Sequence, residues 1–237
     1  MDEQFARAAM LLGAEGMEKL WHSHVAVFGL GGVGSWCAEA LARSGVGALT
    51  LIDHDDVGLT NLNRQAEALH STLGQPKAEA MAARIRDISP KCAVTPVVAK
   101  YDAEHRDEIF SADWNYIVDA IDLVSCKLDL IETARSRGIP MISALGTGNK
   151  LDPTLFRISS IAETEGCPLA RVMRKELRKR GITDHRVIWS PELPAATGDS
   201  GEAPPPGRRS IPASVVWVPA CAGLMMAGDV IRTLTGK

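Results

Sequence analysis

The chain has 237 residues, 46% hydrophobic, 23% charged and 5% aromatic. This supplies one sizeable apolar core and excludes the disordered, collagen-like and disulfide-scaffold classes. A net charge of −3, from 26 basic and 29 acidic side chains, excludes a global polycation for nucleic acid but leaves room for a local basic patch.

Residues 4–20 carry Ala8, Leu11, Leu12 and Leu20 on an interrupted helical pattern, giving an N-terminal helix within 1–24. Val25-Ala26-Val27-Phe28 is a short β-rich run, ended abruptly by Gly29-Leu30-Gly31-Gly32-Val33-Gly34. Trp36 to Arg43 then reads as a helix closing at Ser44-Gly45, and Leu49-Thr50-Leu51-Ile52 as a second buried strand ending at Asp53. Strand, glycine turn, helix and strand within 29 residues make a βαβ unit of the nucleotide-binding kind.

The alternation continues. Met81, Ile85 and Ile88 follow Pro76 at helical spacing, Val94–Val98 and Tyr116–Val118 are strands, and a helix runs from about Leu123 to Arg137. Pro140–Ser143 and Thr154–Ile161 are further strands, and a basic amphipathic helix covers 167–180. Residues 191–212 hold six prolines and three glycines, so this crossover segment is expected to be a mobile loop. Ile211 to Gly228 carries no charge over 18 residues. Pro212 and Pro219 divide it, so it reads as a strand and a buried helix (about 220–235) rather than a membrane span, which needs ~20 apolar residues. The fold class is therefore α/β: a Rossmann-like, doubly wound, mainly parallel sheet with helices on both faces. It forms one domain, with a core at 25–160 and a C-terminal extension at 161–237.

The five cysteines, at 37, 92, 126, 167 and 221, form no C-x-x-C pair. A zinc ribbon is not expected, and the odd number argues against a secreted disulfide framework. Met1-Asp2-Glu3 opens neither a basic nor an apolar leader, so a cytoplasmic protein is expected.

The glycine turn allows a sharp bend and a close approach of phosphates to a helix N-terminus, and Asp53, 19 residues after Gly34, is placed to accept ribose hydroxyls. This fingerprint alone does not choose between NAD and ATP. Arg64 and Lys77 follow soon after Asp53, and Asp122 ends the fourth strand. Two cations and a magnesium-ready carboxylate suit a triphosphate better than a dinucleotide.

The blocks GLGGVG, LIDHDDV, TNLNRQ, GQPKAEAM and DAID, in that order, resemble the adenylate-forming family of ubiquitin-activating-type enzymes that includes MoeB, ThiF and HesA. The likeness runs from about residue 4 to 160. MLLGAEGMEKL, ALGTGNKLDPT and VPACAGLMMAGDVIRTL are similar to the branch that dehydrates threonylcarbamoyladenosine at position 37 of tRNA.

The resemblance implies ATP with Mg²⁺, a modified tRNA substrate, a homodimer and a possible sulfur-transfer or sulfur-carrier partner. It implies that Gly29, Gly31, Gly32 and Gly34 pass close to the ATP phosphates and that Asp53 binds the ribose, with Asp55 also at the nucleotide. Asn61, Arg64 and Lys77 would contact phosphates, and Asp122 would associate with Mg²⁺. Arg7 would be lent across the dimer interface to the partner's ATP. Relatives that load sulfur carriers usually hold structural zinc on two C-x-x-C pairs and a crossover cysteine, all missing here. Cys167 is read as a helix start and Cys221 as core. Adenylation of a carrier protein's C-terminal glycine is the alternative activity, with an NAD-dependent dehydrogenase and a non-catalytic nucleotide sensor as further readings.

The segment 171–180 has a local charge of +5, leaving −8 for the rest. Arg171, Arg174, Lys175 and Arg178 are its candidate tRNA contacts.

Overall fold

A computed structural model describes residues 2–110, 113–198 and 212–237. Helix α1 (Ala6–Trp21) is interrupted at Gly13, whose φ of 74° and ψ of 167° break the helical path that the sequence also showed interrupted. In chain order there follow β1 (His24–Phe28), α2 (Gly34–Arg43), β2 (Ala48–Ile52), α3 (Lys77–Ile88) and β3 (Ala93–Val97). Next come α4 (Arg106–Ile109), β4 (Tyr116–Asp119), α5 (Val124–Ser136), β5 (Met141–Ala144) and β6 (Arg157–Ser160). The last elements are α6 (Pro168–Lys179), β7 (Arg186–Trp189) and α7 (Trp217–Thr235).

The seven strands form one sheet in the order β3-β2-β1-β4-β5-β7-β6, and every pairing is parallel except β6 with β7. Alternation along β1 builds both layers of core. Val25 and Val27 pack on the side of α1, α2, α3 and α7, while Ala26 and Phe28 face the side of α4, α5 and α6. Strand order reverses between β1 and β4, and the crevice beyond the carboxyl ends of those strands is where an open α/β sheet takes its ligand.

Three expectations need correction. The strand read at 154–161 is only Arg157–Ser160, because Pro153 starts a 3₁₀ turn capped by the Asp152 carboxylate, which accepts a bond from Thr154 N at 2.9 Å. No strand precedes the last helix among the described residues of 211–216. Instead α7 begins at Trp217, and Pro219 is accommodated in its first turn, where a missing N–H costs nothing. Strand β7 was not anticipated. Of the expected mobile loop at 191–212, residues 199–211 lie outside the described residues; 191–198 have no regular structure. Among the described residues, no helix is long and apolar enough to cross a membrane.

Candidate nucleotide site

A cleft of about 880 Å³ opens at the β1–β4 switch point. The glycine turn forms its floor. Gly29 has φ +85°, its N–H donates to Ile52 O at 2.8 Å, and a Cβ there would stand 2.8 Å from the Ala120 carbonyl oxygen. Only glycine fits both demands. A Cβ on Gly34 would lie 1.8 Å from the Gly29 carbonyl oxygen. Gly34 therefore lets α2 pack against the turn, and it does not line the cleft, unlike Gly29, Gly31 and Gly32. Of the four glycines expected near phosphate, three line the cleft and Gly34 lies behind it.

Asp53 lines the cleft yet is only 8% exposed. Its Oδ2 accepts the Leu30 N–H at 2.6 Å and its Oδ1 the Asp55 N–H at 2.8 Å. The carboxylate thus ties the end of β2 to the glycine turn, as well as facing the ligand space. Lys77 begins α3, and its ammonium, buried in the cleft wall, lies 2.9 Å from Asp55 Oδ2. Asn61 and Arg64 come from a turn whose backbone is pinned by the Trp36 indole, which donates to Arg64 O at 2.9 Å. Asn61 Oδ1 accepts the Gly58 N–H at 2.9 Å, and Arg64 donates to Thr60 O at 2.8 Å and Asn63 Oδ1 at 2.9 Å. Burial holds the Arg64 guanidinium below its ordinary pKa, against the opposing charges of Asp122 and Glu67. Asp122 lines the same cleft, so the structure brings together Asp53, Asp55, Asn61, Arg64, Lys77 and Asp122.

The exposed Asp122 offers a hard oxygen donor near the Arg64 guanidinium. Mg²⁺ is held by one or two carboxylates and completes its shell with phosphate oxygens and water. The donor set therefore fits a metal that arrives with a triphosphate.

Arg7 is exposed on the first turn of α1 and does not line the cleft of its own chain. On α6, Arg171, Arg174, Lys175 and Arg178 border one shallow concavity. Arg174 has a structural task there, because its guanidinium donates to the Thr164 carbonyl and, at 2.6 Å, to the Thr164 hydroxyl. Lys179 and Arg180 are ion-paired with Glu176, and Arg180 also with Glu132. Among the described residues, Arg171, Lys175 and Arg178 make no ion pair.

Cys167 caps α6, accepting a bond from Ala170 N through Sγ at 3.5 Å, and is buried where α6 meets the cleft. Cys221 lies half-buried in α7.

Sequence reasoning missed several residues here. Lys150 lines the cleft, with its ammonium donating to the Glu192 carbonyl. Glu67 is 1% exposed, its carboxyl oxygens have no well-formed hydrogen bond among the described residues, and burial pushes its pKa up to about 7 despite the nearby Lys77, with Asp53 adding to the rise. A charged residue inside an otherwise apolar-to-polar turn was the available signal, but its burial could not be read from local pattern.

The ThiF family profile matches residues 5–237. The tRNA threonylcarbamoyladenosine dehydratase of Bacillus subtilis (strain 168) is 44% identical over 242 aligned residues, covering 99% of this chain and 95% of that protein. The crystal structure of the Escherichia coli tRNA N6-threonylcarbamoyladenosine dehydratase in complex with ATP superposes with a TM-score of 0.88 at 35% identity, covering 99% of this chain and 94% of that one. Molybdopterin-synthase adenylyltransferase of Salmonella typhimurium is 35% identical over 153 residues, 65% of this chain and 60% of that protein. Fold, glycine turn and near full-length likeness converge, and the chain belongs to the ThiF family.

Proposed function

We propose that this protein is an ATP-dependent dehydratase that cyclises the threonylcarbamoyl group on adenosine 37 of tRNA through an acyl-adenylate. The observation that carries the reading is the convergence of Asp53, Arg64, Lys77 and Asp122 on one cleft at the strand-order reversal, in a chain similar along nearly its whole length to proteins of that activity.

The substrate carboxylate is a poor electrophile because hydroxide is a poor leaving group. One of its oxygens attacks the α-phosphorus of ATP, the Pα–O bond to the β-phosphate breaks, and pyrophosphate leaves. A neighbouring atom of the carbamoyl group then attacks the activated carbonyl and expels AMP, so the net change is loss of one water. Lys77 and Arg64 stabilise the charge gathered on the phosphates, and Asp53 orients the ribose. Asp122 would hold Mg²⁺, which supplies further charge neutralisation on the same oxygens.

The reading includes a homodimer in the cytoplasm. Met10 and Leu11, 85% and 84% exposed on α1 next to the exposed Arg7, support an α1 face that a second copy covers, with Arg7 reaching the partner's nucleotide. Arg171, Lys175 and Arg178 on α6 would follow the tRNA backbone, and a sulfur-carrier or sulfur-transfer protein is a further partner of this reading.

The test is mass spectrometry of tRNA nucleosides after incubation with the protein, MgATP and threonylcarbamoyl-modified tRNA. The expected result is a loss of one water on that nucleoside alone. ATP–pyrophosphate exchange stimulated by a small sulfur-carrier protein, and not by modified tRNA, would establish carrier adenylation instead.

A further inference from the structure

Beneath the cleft, Lys127 and Asp119 are both fully buried and lie 2.8 Å apart, Nζ to Oδ2. The contact is one of charge rather than a well-aligned hydrogen bond, because Asp119 Oδ2 accepts none among the described residues. Their hydrogen bonds go to a single peptide neighbour. Asp119 Oδ1 accepts the Ile121 N–H at 3.0 Å, and the Lys127 ammonium donates to the Ile121 carbonyl at 2.9 Å. One residue earlier, Ala120 N–H donates to Phe28 O at 2.8 Å, and the Ala120 carbonyl lies against the space left by the missing side chain of Gly29. The segment from Ala120 to Ile121 is therefore gripped on both of its polar edges, immediately before Asp122.

Two buried charges are a costly way to fill a core. An apolar pair of similar shape is commonly as stable or more so. An apolar pair could not, however, hold both the N–H and the C=O of Ile121. The two ends of the pair also come from different elements: Asp119 ends β4, and Lys127 sits in the first turn of α5, its own N–H donating to Leu123 O at 3.0 Å. The pair thus closes the turn between them on itself. His185, also buried beside this pair, stays neutral because burial drives its pKa down to about 4, and its ring is engaged with the Ser143 hydroxyl at 2.8 Å. It adds no competing charge at neutral pH.

We propose that the Asp119–Lys127 pair is a positioning device for Asp122, fixing the turn that aims this carboxylate at the metal carried by the nucleotide. The inference rests on reading Asp122 as the metal-associated aspartate, so the experiment tests both readings separately.

Lys127→Met alone would strand a buried carboxylate and unfold the protein, so the informative variants are the neutral double change Asp119→Asn/Lys127→Met and the charge-preserving Lys127→Arg. Mn²⁺ binding is titrated by electron paramagnetic resonance with a non-hydrolysable ATP analogue present, and affinity for the same analogue without metal is measured by calorimetry. Asp122→Asn serves as the reference. The expected result is a metal affinity about 10–100-fold weaker in the positioning variants, as for lost supports of a metal ligand, with metal-free analogue affinity unchanged. Wild-type metal affinity in both positioning variants, alongside weakened affinity in Asp122→Asn, overturns the proposal while leaving the Asp122 reading intact. Unchanged metal affinity in Asp122→Asn overturns that reading and the proposal with it. Equal losses of metal-bound and metal-free nucleotide would show a merely structural pair, and would also overturn it.

Discussion

The Lys77 ammonium lies 2.9 Å from Asp55 Oδ2, with the lysine side chain 7% exposed and the aspartate 55%. The cation is thus held at the cleft wall by a partner that is itself largely in water. A solvated carboxylate is a weak competitor for a polyphosphate, so under the proposed function Lys77 would exchange it for the nucleotide without leaving its buried stem position.

Lys77→Ala and Arg64→Ala should each lower modified-tRNA-dependent pyrophosphate release by about 10²–10³, the usual cost of removing one electrostatic contact to the transition state. Near-normal release in both cation variants would sink the assignment.

The glycine turn separates packing from ligand approach. Gly34→Ala brings a Cβ to 1.8 Å from the Gly29 carbonyl and should destabilise the fold at the upper end of the roughly 1–3 kcal/mol typical of overpacking, or beyond it. At Gly31 the nearest atom to an added Cβ is Gln65 Nε2 at 3.9 Å, so Gly31→Ala should fold normally and lose ATP affinity instead. Thermal unfolding beside ATP titration distinguishes the two, and matching melting temperatures would contradict the division.

Glu67 gives a pH signature. Its carboxyl is neutral in the fold up to about pH 7 but ionises near 4.5 once unfolded. The stability present below pH 4.5 is therefore lost as pH rises to about 7, by on the order of 3 kcal/mol, and levels off above that. Glu67→Gln removes the titration, so the melting temperature of this variant relative to the parent should climb across that window. A difference independent of pH would mean that Glu67 is ionised throughout.

Reversal of Arg171, Lys175 and Arg178 to Glu should weaken tRNA binding and flatten the plot of log affinity against log salt by about 2, as expected for three lost phosphate contacts. Arg174→Glu should act differently, lowering the melting temperature through its lost bonds to Thr164. An unchanged salt slope in the triple variant would mark α6 as a solvated face only.

Much of this architecture is legible along the chain because it is written in local pattern. Residues 24–52 announce strand, tight turn, helix and strand through period and glycine spacing; Asp53 follows β2, Lys77 opens α3, Arg64 lies in the turn between them, and Asp122, expected to end the fourth strand, lies three residues beyond the end of β4 at Asp119. What escaped depends on partners distant in sequence. Strand β7 is four residues long, and its extended form follows from pairing with β5 on one side and β6 on the other. Arg174 shares its helix face with cations that make no ion pair among the described residues, but Thr164, ten residues away, claims it. Glu67 and Lys127 look like surface charges in one dimension. Burial beneath the cleft shifts the one toward neutrality and binds the other to Asp119, since the energy of a charge depends on what surrounds it in space.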